Sequence, residues 1–247
     1  MGVKRKARVC EAVSGLEWSV RGQRSRYFHE LHDKIQNEPV PSPDGGDDLI
    51  LWRHSGGKYR DHFLANETWN QIRDKHEKVG WSSSVWIAQG VPRFAFITWL
   101  AVKNRLATGD RMRTWGIHQD CVLCGEKYET RDHLFFACPY SYTVWDRLAS
   151  KLIGSSINPY WNDNLSLIKN GSFTRVDRVL ICLLFQTLIY HIWRERNARR
   201  HQKGSQPVEH MIKLTDKSIR NRISSLKYRS DHKLGSLMCR WFEMKGD

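Results

Sequence analysis

The chain has 247 residues, 40% of them hydrophobic and 27% charged, the composition of a folded globular protein; collagen, wholesale disorder and a disulfide-dense miniprotein are excluded. Forty Lys and Arg against 26 Asp and Glu leave a net charge of +14, which favours acidic partners, above all nucleic acid or an anionic membrane surface. The N-terminus has no apolar run of signal-peptide length. The longest apolar stretch, 179–193, is interrupted by Gln186, Thr187 and His191 and falls short of the roughly 18–20 residues that span a bilayer, so secretion and membrane insertion are not expected.

Taken in chain order, a basic cluster (Lys4, Arg5, Lys6, Arg8) precedes an amphipathic stretch, SRYFHELHDKIQ, whose Tyr27, Phe28, Leu31 and Ile35 predict a short helix. The prolines and glycines of PVPSPDGGDD break it, and LILW, HSGGK and YRDHF then read as strand, turn and strand, a small hairpin over 49–64. NETWNQIRDKHEKV (66–79) resumes helical spacing, and WSSSVW reads as a loop or short extended piece. PRFAFITWLAVKNRL predicts a helix with Pro92 in its first turn and Phe96, Trp99, Leu100 and Leu106 on one stripe. Thr108 is placed to cap a second short helix, DRMRTW, which ends before Gly116. Beyond the cysteines, 143–153 is helical, GSSINPYWND is a loop, and 176–201 forms the longest helix, apolar in its first half and basic in its second. A last segment, 208–229, repeats apolar residues at helical spacing.

Six cysteines in a chain with no expected secretion should be reduced thiols or metal ligands. Four potential ligands are concentrated in CVLCGEKYETRDHLFFAC: Cys121, Cys124, His133 and Cys138, spaced C-x2-C, eight residues, H-x4-C. That donor set suits tetrahedral zinc, and since protein fills all four positions the site is expected to be closed and structural, holding one ion. Gly125 relieves the tight turn after Cys124, while Glu126 and Asp132 adjoin ligands. His133 and Cys138 converge only if the chain between them turns or a helix begins near Pro139. The competing reading is four ordinary buried residues. Cys182 reads as a small core residue within the apolar helix.

Jointly, the Phe/Trp-rich helix, RLATGDR, C-x2-C, RDHLFFAC and Trp145 resemble the reverse-transcriptase zinc-binding domain of plant LINE-type (non-LTR) retrotransposons, over roughly 60–150. The resemblance implies that Cys121, Cys124, His133 and Cys138 are the metal ligands, and that the domain lies downstream of a polymerase and contacts nucleic acid. The polymerase itself is not found. The only adjacent aspartates, Asp47–Asp48, follow PVPSPDG, which cannot form the central strand that aims paired carboxylates at magnesium. No clustered carboxylates with nuclease spacing occur either, and an enzyme is not expected. His29 and His32 fall one residue short of the zinc-protease spacing and read as surface histidines.

Between Arg194 and Lys233 twelve basic residues face four acidic ones. Arg194, Arg196, Arg199, Arg200 and Lys203 form a candidate phosphate-tracking ridge, extended by Arg111, Arg113 and Arg131; the same ridge also suits a solvated helix end, where cations are favourable. Of the eleven tryptophans, Trp99, Trp115, Trp145 and Trp193 sit at positions suited to core packing. The expected protein is mainly α-helical: a basic N-terminal segment (1–65) with a short helix and hairpin, a zinc-stapled module (66–150) and a basic helical region (151–247). The expected function is non-catalytic binding of RNA or DNA with low sequence specificity, inside the cell and in the nucleus rather than the cytoplasm, with no small-molecule substrate. The alternative is a zinc-stabilised structural or protein-interaction domain, or a decayed retroelement fragment.

Overall fold

The computed structural model describes residues 6–20, 26–41, 44, 46 and 49–245. Lys4 and Arg5 of the N-terminal basic cluster, and Asp47–Asp48, lie outside the described residues. Internal contacts divide the chain into one unit ending at His76 and another beginning at Glu77. Elements in both are helices or two-residue hairpin strands, the mainly α class expected.

In the first unit, β1 (Val13–Ser14) and β2 (Glu17–Trp18) pair antiparallel across a two-residue loop whose Gly15 takes φ +67°, the backbone that hairpin turns of this length require. This hairpin was not expected. Helix α1 (Arg26–Gln36) follows. His32 is buried rather than on the surface, its Nε2 2.9 Å from the Val20 carbonyl. The expected second hairpin is present, with β3 (Trp52–Arg53) pairing with β4 (Tyr59–Arg60) in the register Trp52↔Arg60. Helix α2 (Ala65–Ile72) stops well short of Val79, because RDKHEK offers no apolar side chain to bury and single-helix propensity does not hold so short a segment.

The second unit is built on one hydrophobic core that runs from Ala101 through the cysteine segment to Trp241 and Met244, and so crosses position 150. Its elements are α3 (Ser82–Val85), α4 (Pro92–Val102), α5 (Gly109–Arg113), α6 (Pro139–Ile153), α7 (Trp161–Asn170), α8 (Arg175–Arg200), α9 (Val208–Leu226) and α10 (Leu237–Lys245). Helix α8 forms the axis, with α4, α6, α9 and α10 packed against it. Its start is capped by Thr174, whose Oγ1 accepts from Asp177 N–H at 3.0 Å. By length and composition α8 could cross a membrane, yet its apolar half is buried among the other helices of the unit. The polar residues that interrupt it have internal partners. Gln186 Nε2 donates to the Ser84 and Val85 carbonyls of α3, Thr187 Oγ1 donates to Leu183 O, and His191 Nε2 meets Ser218 Oγ of α9.

Several expectations are corrected here. Helix α4 turns Phe94, Ala95, Thr98 and Ala101 inward, while Phe96 is half exposed and Trp99 and Leu100 are only partly buried. Apolar residues surround much of this helix, so spacing alone cannot choose a face; packing on α8 selects the side with small residues, which allows close approach. Trp115 lies past the end of α5 and is exposed, whereas Trp145 is fully buried. WSSSVW contains the short helix α3. Helix α7 begins inside the segment read as a loop: its Asn-rich sequence favours turns, but burial of Trp161 against Phe135, Phe136 and Phe185 overrides that local preference. Trp145 Nε1 donates to Asn164 Oδ1 of α7, which links α6 and α7 within this aromatic core.

Candidate metal centre

The cysteine segment begins with a tight turn in which Gly125 N–H donates to Cys121 O at 2.7 Å and Cys121 N–H to Glu126 O at 2.8 Å. Gly125 has φ +82°, a conformation a side chain would strain. Thr130 Oγ1 then accepts from His133 N–H, opening a helical turn that widens into a π-helical stretch, His133–Ala137. Cys138 N–H donates to His133 O at 2.6 Å, the i to i+5 bond of a π-turn. That wider turn is how a histidine and a cysteine five residues apart reach one face. Pro139 starts α6 at the position where its missing N–H is harmless.

The four ligand atoms of Cys121, Cys124, His133 and Cys138 lie within 4.8 Å of one another. Cys121 Sγ and Cys138 Sγ are 3.9 Å apart, and Cys124 Sγ is 3.3 Å from His133 Nε2. Zinc bonds of ~2.3 Å to sulfur and ~2.0 Å to nitrogen in a tetrahedron imply edges of roughly 3.5–3.8 Å, so the cluster is close to that shape. His133 Nε2 faces the sulfurs while Nδ1 lies 3.4 Å from Glu126 Oε2, the arrangement in which a carboxylate orients a ligating imidazole. Asp132 instead pairs with Arg131 at 2.7 Å. Cys121 and Cys138 are buried; Cys124 is exposed. Donation to Cys138, reinforced by burial, pushes the Cys121 thiol up to about 12, and the same hydrogen bond lowers Cys138. The donors therefore fit a zinc ion, which would cross-link the turn at 121–125 to the start of α6 with no position left for substrate.

The predicted cationic ridge is only partly a surface. Arg196 is fully buried: its Nε and Nη2 hold both carboxylate oxygens of Glu129, which is also fully buried, at 2.7–3.1 Å, and Nη2 donates to Ala107 O. It cannot touch a phosphate. Arg199 pairs with Glu195 at 2.8 Å and donates to Leu123 O and Gln206 O, tying α8 to the cysteine segment. Arg131 stacks on Trp161 with its guanidinium carbon 4.5 Å from the ring centroid, and half-buried Arg111 donates to Asn104 O. Arg194, Arg200, Lys203 and Arg113 are exposed. Glu129 was missed from sequence because nothing local distinguishes it; its role is set by Arg196, which meets it only in the folded chain.

The four donors form a Cys3His cluster that suits zinc, and residues 63–145 match the family described as zinc-binding in reverse transcriptase, a span that includes all four candidate ligands. No curated protein and no solved structure matches the chain.

Proposed function

We propose that this chain is a zinc-stapled, non-catalytic nucleic-acid-binding module related to the C-terminal part of a plant LINE-type retrotransposon reverse transcriptase, acting in the nucleus. The carrying observation is the convergence of Cys121, Cys124, His133 and Cys138 inside the matched span. A zinc ion held by Cys121, Cys124, His133 and Cys138 would supply a cross-link; the protein supplies the cations. Arg194, Arg200, Lys203 and Arg113 are exposed on a strongly basic chain and suit phosphate contacts, which carry little sequence information. Arg196, Arg199 and Arg131 position the scaffold beneath them.

The test has two parts. Mass spectrometry of the native protein should find one zinc, lost together with the folded state in Cys121→Ser and His133→Ala. Affinity for mixed-sequence single strands should fall with salt, and Arg194→Gln, Arg200→Gln and Lys203→Gln together should lower the slope of log K against log salt by about 2 if each releases a counterion. A folded protein without metal refutes the zinc reading. A salt slope unchanged by the triple substitution refutes this surface, and leaves the structural or protein-interaction reading.

A further inference from the structure

Where α8 and α9 separate at the 201–207 connection, they enclose an open cleft of about 570 Å³. That is within the ~300–1,000 Å³ range of small-ligand sites. Its floor is apolar, from Ala198, Met211 and Leu214; Arg194, His201, Lys203 and His210 contribute cations or ring N–H donors. The one carboxylate in the lining, Glu195, is occupied, its Oε1 accepting from Arg199 Nε at 2.8 Å and from Gln206 N–H at 2.7 Å.

The C-terminal end of a helix ordinarily repels an anion, because its last carbonyls are unpaired. Here backbone N–H groups satisfy two of them. Gln202 adopts φ +55°, its N–H donates to Arg199 O, and Lys203 N–H donates to Ala198 O at 2.9 Å. This is a Schellman-type closure, which also holds Lys203 at the cleft.

We propose that this cleft seats a single nucleotide bearing a phosphomonoester, with the phosphate among Arg194, His201, Lys203 and His210 and the base or sugar on the Ala198–Met211–Leu214 floor. Several donors lining one cleft suit a dianionic monoester with three unsubstituted oxygens better than the singly charged diester inside a strand. The ligand chemistry is that of a strand's phosphorylated end or of a free nucleoside monophosphate. Choosing a nucleotide over other phosphates rests on the nucleic-acid reading above.

The full-length protein is titrated with adenosine 5′-monophosphate, and separately with one mixed-sequence hexanucleotide carrying either a 5′-phosphate or a 5′-hydroxyl. The monophosphate should bind and shift the imidazole resonances of His201 and His210 in the unsubstituted protein. The phosphorylated strand should bind about tenfold tighter than its hydroxyl twin, the worth of one charge-assisted contact. Ala198→Leu, which fills the floor, should erase that preference. If the monophosphate leaves both histidines unmoved and the two strands bind equally, the cleft proposal falls while the nucleic-acid reading stands. If the monophosphate binds there and neither strand does, the cleft is a free-nucleotide site and the nucleic-acid reading falls.

Discussion

Arg196→Met separates a structural arginine from a phosphate contact. The guanidinium and the Glu129 carboxylate are both fully buried, and once the guanidinium is gone the Glu129 carboxylate keeps, among the described residues, only the Gly109 N–H at 3.0 Å. Removing one partner of a buried pair strands a charge in low dielectric and costs about 3–5 kcal/mol, whereas replacing both by apolar residues of similar size is often nearly neutral. The expected result in urea unfolding, followed by tryptophan fluorescence, is a stability loss of about 3–5 kcal/mol for Arg196→Met, largely recovered in Arg196→Met/Glu129→Leu. Arg200→Met, at an exposed position on the same helix, should stay within about 0.5 kcal/mol of the parent. The reasoning is refuted if Arg196→Met unfolds at the parental urea concentration, or if the double variant is less stable than the single one.

Gly109→Ala should destabilise the second unit by about 1–3 kcal/mol, since a Cβ there would clash with the Gln119 carbonyl and crowd Glu129 O at 3.1 Å, both backbone atoms; an unchanged thermal midpoint would show that the loop yields. His191 gives a pH signature. Burial, then Arg194 and Arg93, push its pKa down to about 4, and Ser218 Oγ, which donates to Leu214 O, is left to accept from its Nε2–H. The unfolded chain therefore takes up the proton first, and stability should fall as pH drops from about 6.5 to 4, by about 3 kcal/mol in all, with no contribution above that window. Urea titrations across this range should be flatter for His191→Gln by that amount; parallel curves would count against it.

Much of the architecture was legible in the chain itself. The Pro92 and Thr108 boundaries, the long helix over 176–201 and the Cys/His spacing are signals carried by neighbouring residues, and all reappear in the fold, although the Thr108 hydroxyl donates to Asp110 Oδ1 and does not cap the helix. Such signals are local: a proline, a helix cap or a ligand spacing acts within a turn or two of itself. What the sequence could not decide is which partner each residue meets at long range. Arg196 and Arg200 look alike in RERNARR, yet one is locked onto Glu129, 67 positions away, and the other faces solvent. Trp115 and Trp161 invert their apparent roles for the same reason, because burial of an aromatic ring is settled by the helices that close around it. The π-turn at His133–Ala137 stands between the two cases. The H-x4-C spacing demanded convergence, but only the packed chain, with Leu134, Phe135 and Phe136 driven into the core, determined how it is achieved.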